Sequence, residues 1–296
     1  MHTLIAITFR ICFRFGLFVL AFPLLAHASL PQSSNVPGGV AIIPLGSVST
    51  SADMPQSWFG DQPVLVTSDH DQWYAVVGLS LDMPSGSHSL RTEVHGESKM
   101  LQFEISPKTY PEQHITIEDK GKVQLSAADA ARVRREIAVI KRLKRHWRAV
   151  QDTDPALALP TEGRPAGRFG LRRYFNGEPR LPHSGLDVAV PIGTLVTSSS
   201  RGRVLATDDF FFNGKTVFLD HGNGLLTMYC HLERIDVRTG DAVSKGQPLG
   251  LSGTTGRSTG PHLHWSVVLN GAMVDPELFI PENRLLTGTI ADSPAQ

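Results

Sequence analysis

The chain has 296 residues and carries 28 Lys and Arg against 28 Asp and Glu, a balance that gives no argument for nucleic acid or an acidic surface as a partner. Hydrophobic residues make up 41% and charged residues 19%, the proportions of a globular chain of one to three domains with material for cores. Partners must therefore be read from sites.

The first stretch is targeting rather than fold. Arg10 and Arg14 precede an apolar run from Phe15 to Leu25, and Ala26-His27-Ala28 then offers small residues where a signal peptidase reads. At roughly a dozen residues the run is short of the ~20 that span a bilayer. Residues 1–28 are read as a cleaved signal peptide, which puts the mature protein in the periplasm or outside the cell and limits membrane contact to export. An uncleaved anchor starting near Leu4 is the alternative. Cys12 leaves with the signal, so Cys230 is alone and the mature chain cannot close an internal disulfide.

Residues 29–125 show short runs rich in Val, Ile and Leu: Val40 to Leu45, Pro63 to Thr67, Trp73 to Leu81, Ser89 to Val94 and Lys99 to Ser106. Gly, Pro, Ser and Asp punctuate them at intervals that predict a small antiparallel β-sandwich. His70, His88, His95 and His114 are scattered through it without a ligand spacing and are read as solvated.

Ser126 then caps a predicted helix, with Asp129 three residues on. Val133, Ile137, Ile140 and Trp147 recur at helical spacing, so residues 126–150 are read as one basic amphipathic connecting helix. Its other face carries Arg132, Arg134, Arg135, Lys141, Arg142, Lys144, Arg145 and Arg148 and is read as solvated. Residues 151–168, rich in Pro, Gly and Ala, are expected to be a linker.

From 169 to 280 the texture changes. Gly193, Gly202, Asn213-Gly214, Gly222-Asn223-Gly224, Gly240-Asp241, Gly246, Gly250 and Asn270-Gly271 separate short strand-like runs, among them Thr216 to Asp220 and Leu225 to Leu232. Turn signals this frequent, with no long helical period between them, predict a compact all-β unit. The polar tail, residues 281–296, is expected to be loose.

This unit holds the candidate chemistry. His262 and His264, two apart in a predicted strand that runs on to the turn pair Asn270-Gly271, point to one face, while Leu263 and Trp265 point to the other. His183 and Asp187 form a second pair. In an extended strand these two would stand roughly 13 Å apart, too far to share an ion with bonds of about 2.0–2.2 Å. The chain must therefore fold back at Ser184-Gly185, where glycine permits unusual backbone angles. His231 is the third element. Strict alternation puts Tyr229 beside it and turns Met228 and Cys230 toward packing, so Cys230 is read as a core thiol. His221, in a turn, is read as structural. Catalytic zinc takes three protein ligands and leaves a fourth position for water, and His and Asp side chains at these places supply more candidates than three.

These residues carry a family resemblance. His183-x-x-x-Asp187, His231 after Tyr229, and His262-x-His264 within Ser258-Thr259-Gly260-Pro261-His262-Leu263-His264-Trp265 look like the signature of the lysostaphin/LytM-type zinc endopeptidases that cut peptidoglycan. The likeness runs from about Phe169 to Pro276; the upstream region resembles more loosely the amino-terminal part of Gram-negative members. The resemblance implies a zinc cofactor held by His183, Asp187 and His264, with His231 and His262 catalytic. It implies peptidoglycan stem peptides as substrate, D-Ala to diaminopimelate cross-links as the bond with a glycine bridge as the alternative, and water activated at zinc as the nucleophile. It also implies a groove walled by Tyr174 to Leu181, Thr207 to Asn213 and Ser252 to Thr259. Arg172, Arg173 and Arg180 could meet stem carboxylates but are read as solvated, and Phe210-Phe211-Phe212 is read either as a cover over the groove or as packing beneath it.

Two other classes compete with an exported zinc endopeptidase. A non-catalytic relative that binds wall or amidases would lack some of the five residues, and this chain has all of them. A lipoyl- or biotin-carrier-like domain, suggested by Gly240 to Gly246, would leave the metal residues unexplained. The sandwich and helix are expected to restrain the groove until wall or a regulatory protein engages them.

Overall fold

Alternation in the amino-terminal strands sends successive side chains into two different cores. The computed structural model describes residues 30–48, 54–116 and 125–281, so the expected signal peptide and nearly all of the expected loose tail lie outside the described residues. Eight strands come first: β1 (Val40–Ser47), β2 (Gln56–Phe59), β3 (Gln62–Pro63), β4 (Leu65–Asp69), β5 (Gln72–Gly78), β6 (Gly86–Val94), β7 (Glu97–Ile105) and β8 (Glu112–Ile115). They build a three-stranded sheet in the order β1-β5-β4 and a four-stranded sheet in the order β3-β2-β6-β7. Ala41, Ile43, Ala75 and Val77 face the second sheet, where they meet Leu90 and Ile105. Val40, Leu65 and Val76, on the opposite face, enter the core of the carboxyl-terminal unit. The small sheet is thus covered on both sides, which explains why its strands read as continuous apolar runs.

Helix α1 (Ala127–Lys144) starts as expected, with Ser126 Oγ accepting a hydrogen bond from the Asp129 amide. It ends at Lys144, six residues before the expected boundary. Trp147 and Arg148 are needed elsewhere: the Trp147 ring lies against Gly224, and Arg148 forms an ion pair with the buried Asp220. Val139, Ile140 and Leu143 pack against Phe210, Phe218, Leu226, Met228, Cys230 and Val268. Among the described residues, no helix is long and apolar enough to cross a membrane.

Residues 151–168 are not a free linker. β9 (Arg164–Gly167) pairs antiparallel with β12 (Leu186–Ala189), the Leu157 amide donates to Phe279 O, and the Leu157 side chain is fully buried. Pro and Gly supply the bends here, but the backbone's hydrogen bonds go to the carboxyl-terminal unit rather than to water. The hairpin of β10 (Arg172–Phe175) and β11 (Glu178–Pro179) takes β8 as a parallel third strand.

The large sheet contains ten strands, with the path β17-β14-β15-β16-β19-β12-β9. Its remaining members are β13 (Leu195–Thr197), β14 (Gly202–Phe210), β15 (Gly214–Gly222), β16 (Leu225–Ile235), β17 (Ala242–Val243), β18 (Pro248–Ser252), β19 (His262–Leu269) and β20 (Ala272–Val274). The protein is mainly β with one α-helix among the described residues, as the turn spacing predicts.

The amino-terminal sheets dock on this unit through directional bonds as well as apolar contact. The Gly78 amide donates to Asn270 Oδ1 at 2.6 Å and Asn270 Nδ2 donates back to Gly78 O at 3.1 Å, both buried. Nearby, the Asp275 amide donates to Gly38 O, while Asp275 Oδ1 caps the 3₁₀ turn Pro276–Phe279 by accepting from the Glu277 amide. Burial, with Glu277 adding to it, pushes the Asp275 carboxyl up to about 6, against the opposing pull of the Glu277 amide, Lys108 and Arg168. A carboxyl raised in the folded state costs stability as pH climbs from its unfolded value of about 4 through about 6. Asp275→Asn keeps the cap and removes the charge. The variant should be more stable than the parent by up to about 2 kcal/mol at pH 7.5 and equal to it near pH 4. Denaturant midpoints at the two pH values check this; no difference between them would show that the carboxyl is fully solvated.

Candidate metal centre

Strand register decides which side chains meet. Asp187 of β12 lies opposite His264 of β19, and Ala189 lies opposite His262. On the other flank of β19, Cys230 of β16 faces His264 and Tyr229 faces Trp265. His262 and His264 therefore share a face, while Leu263 and Trp265 turn into the main core.

His183 reaches the same face from the segment before β12. Its amide donates to Leu171 O at 2.9 Å and its carbonyl accepts from the Gly170 amide at 2.8 Å, so the backbone is held from both sides. The chain does bend at Gly185, but not through a left-handed glycine conformation. Space is the requirement: a Cβ at Gly185 would come within 2.7 Å of the His264 ring and 2.6 Å of Trp265 O.

The result is a triangle of donor atoms. His183 Nε2 lies 3.0 Å from Asp187 Oδ1 and 3.1 Å from His264 Nδ1, and His264 Nδ1 lies 2.8 Å from Asp187 Oδ1. Two bonds of about 2.0–2.1 Å at a tetrahedral angle would separate their donors by about 3.3 Å, so the triangle is close to what one zinc ion needs. The proton chemistry fits as well. His183 Nδ1 faces the Arg168 carbonyl at 2.8 Å, and a carbonyl only accepts, so in the neutral ring Nε2 is the lone pair. His264 Nε2 is engaged by Ser266 Oγ at 2.8 Å, which leaves Nδ1 facing the triangle. Among the described residues, His183, Asp187 and His264 are the one group of His, Cys, Asp and Glu able to hold a metal. Their side chains are 11–13% exposed, enough for solvent to reach them.

Charge follows the same geometry. Burial works to raise the Asp187 carboxyl, but with no metal between them His183 and His264, protonated on the nitrogens that face it, outweigh burial and hold the group well below the usual range. Burial likewise depresses His264, and Asp187 only partly offsets it. At His183 burial is overcome by the hydrogen bond and charge of Asp187, so this ring rises.

His231 and His262 flank the triangle without joining it, their ring centres 4.7 Å apart. His231 Nδ1 donates to Thr255 O at 2.8 Å and His262 Nδ1 donates to Gly260 O at 2.8 Å, so both rings present Nε2 as the free nitrogen. His262 Nε2 stands 3.8 Å from Asp187 Oδ1. Burial pushes His231 down to about 4, which keeps it neutral near pH 7.

Alternation fails at His231. Tyr229 does not accompany it but lies in the main core, its hydroxyl accepting from the Ser199 amide and from Thr227 Oγ1. His231 sits at φ 60°, a left-handed conformation that breaks the pleat and returns its ring to the face shared by Cys230 and His264. Cys230 is a buried free thiol that burial pushes up to about 12, an inert core group as read. His221 is buried and bonded to Arg201 O and Thr227 Oγ1.

Residues that sequence reasoning passed over support the five: the carbonyls of Arg168, Thr255 and Gly260, and the Ser266 hydroxyl. Backbone carbonyls leave no trace in residue type. Of the sandwich histidines, His88 bonds Pro84 O, and His114 stacks on Tyr174 at 4.5 Å, so neither is merely solvated. Arg173 donates to Gln113 and Arg180 pairs with Glu178. The triple phenylalanine divides its tasks: Phe210 is buried against α1 and β15, and Phe212 is 41% exposed.

Comparison with known proteins is consistent across this region. The model for peptidase family M23 matches residues 181–276, and that for the M23 N-terminal domain matches residues 33–108. A crystallised Pseudomonas aeruginosa protein assigned to peptidase M23 superposes with a TM-score of 0.71 and 36% identity, over 84% of this chain and 96% of the other. Peptidoglycan DD-endopeptidase ShyA of Vibrio cholerae is 42% identical over 118 residues, 40% of this chain and 27% of ShyA. DD-carboxypeptidase/endopeptidase Mpg of Neisseria meningitidis is 40% identical over 108 residues, 36% of this chain and 25% of Mpg. The match thus spans about a quarter of the length of these curated relatives.

Proposed function

The chain belongs to peptidase family M23, and on that premise we propose that it is an exported zinc endopeptidase that hydrolyses peptide cross-links of peptidoglycan, with the D-Ala to diaminopimelate bond as its target. The observation that carries this reading is the donor triangle of His183, Asp187 and His264 with two oriented histidines beside it. Relatives named as peptidoglycan DD-endopeptidases support the substrate class. The leader pattern of Arg10 to Ala28 supports export.

His183 Nε2, Asp187 Oδ1 and His264 Nδ1 would hold the zinc. When bound, zinc supplies a Lewis acid that polarises the scissile carbonyl and lowers the pKa of water. The chain's own residues do the rest. His231, neutral and with Nδ1 committed to Thr255 O, accepts a proton at Nε2 from the attacking water. His262, fixed by Gly260 O and Ser258 Oγ, directs Nε2 at the same space and is placed to steady the developing oxyanion or to pass a proton to the leaving amine. No Glu stands among these groups, so histidine is the available base.

The mature protein incubated with purified sacculi should release cross-linked stem peptides cut at one bond, identified by mass spectrometry of the fragments. Chelation should abolish release and added zinc restore it. Release that continues undiminished after the metal is stripped would contradict the metallopeptidase reading.

A further inference from the structure

The tip of the β14–β15 hairpin connects α1 to His231. Three successive residues there offer their backbone groups to three different elements. The Phe211 amide donates to Glu136 Oε2 of α1 at 2.8 Å. The Phe212 carbonyl accepts from the Arg257 amide at 2.9 Å, and the Asn213 carbonyl accepts from the His231 amide at 2.8 Å. The next residue, Gly214, is left-handed at φ 61°, and a Cβ on it would come within 2.3 Å of Thr255. Thr255 in turn accepts from the Lys215 amide through Oγ1 and receives the His231 ring through its carbonyl. Both the backbone of His231 and its ring tautomer therefore hang on this tip.

Glu136 is bound from the other side as well. Arg132 Nε lies 2.6 Å from Glu136 Oε1, and Arg132 Nη2 donates to Asp209 O at 2.7 Å, so the pair grips the hairpin at Asp209 and Phe211 together. The Glu136 side chain is only 17% exposed, whereas a solvated helix face would leave it free. Helix α1 also lies outside both stretches matched by the family models.

We propose that Glu136, seated by Arg132, is a positioning residue for His231: it pins the hairpin tip that holds this histidine in its left-handed conformation with Nε2 facing the metal centre. The inference rests on the peptidase reading for its effect on turnover. Its effect on His231 order does not depend on that reading. A left-handed non-glycine residue persists only where its surroundings over-determine it, and removing one restraint lets it relax toward ordinary strand geometry.

The test compares the full mature protein with Glu136→Ala and Glu136→Gln, the second of which keeps an acceptor for the Phe211 amide. Glu136→Ala should lower kcat on cross-linked muropeptide by about tenfold, with KM within about twofold and zinc content unchanged. Glu136→Gln should recover most of the loss. Amide hydrogen exchange at Phe211 and His231 should speed up in Glu136→Ala and stay near the parent rate in Glu136→Gln. Unchanged kcat and unchanged exchange in Glu136→Ala would overturn the proposal, as would an equal loss in both variants accompanied by loss of zinc. If the parent itself fails to cleave, the peptidase reading falls, and the exchange rates still judge the role of Glu136.

Discussion

His264→Ala should purify without zinc and without activity. His264 supplies one corner of a triangle whose edges are 2.8–3.1 Å, and it also hydrogen-bonds Asp187 and faces His183. Removing it leaves two donors where catalytic zinc takes three. Asp187 loses one of the two hydrogen bonds that hold its carboxylate ionised in a buried place. The metal content should fall from about one ion per chain to near none. Hydrolysis of muropeptide should drop to the uncatalysed background, and the rise in melting temperature that zinc gives the parent should vanish, because an ion that binds only the folded state stabilises it in proportion to its occupancy. Elemental analysis and a thermal melt with and without zinc check the two halves. A variant that keeps one firmly bound zinc would remove His264 from the ligand set.

His231→Ala should behave in the opposite way toward the metal. The ring lies beside the triangle, bonded to Thr255 O through Nδ1, and contributes none of the three donor atoms. Zinc content should remain at the parent level while kcat falls by a factor on the order of 10²–10⁴, the usual worth of a general acid or base. KM should change little, because the missing proton transfer belongs to the transition state rather than to substrate binding. Loss of zinc equal to that of His264→Ala would mean that the division between holding and assisting residues is wrong.

Most of this centre was legible in the chain because its signals are short-range. His262 and His264 at a spacing of two must share a strand face, and Asn270-Gly271 marks where that strand turns. His183 and Asp187 can meet only if the chain bends between them, and Gly185 marks the bend, though through the room it leaves for His264 rather than through its backbone freedom. The unreadable parts depend on partners far along the sequence. The left-handed backbone of His231 inverts the pleat, and nothing in Tyr229-Cys230-His231 announces it, because Asn213 and Thr255 impose it from outside. Residues 151–168 have the composition of a linker, yet β12 offers an edge that β9 completes. Val40, Leu65 and Val76 alternate as any sandwich strand does, and only the docked structure shows that their second face belongs to the neighbouring core.

The seating of the sandwich bears on the restraint expected from it. Its contacts run through Gly78 and Asn270 to the far end of β19, away from His262, while β8 adds a strand to the β10–β11 hairpin beside His183. Helix α1 reaches the β14–β15 tip. Among the described residues, the sandwich and α1 are thus seated on the far end of β19, on the β10–β11 hairpin and on the β14–β15 tip.

The most direct test of the central claim is the anomalous scattering of zinc in a crystal of the mature protein. A single strong peak is expected within about 2.0–2.2 Å of His183 Nε2, Asp187 Oδ1 and His264 Nδ1, with His231 and His262 unbonded. A peak bonded to His231 or His262 in place of one of the three, or no peak on this face of the sheet, would contradict it.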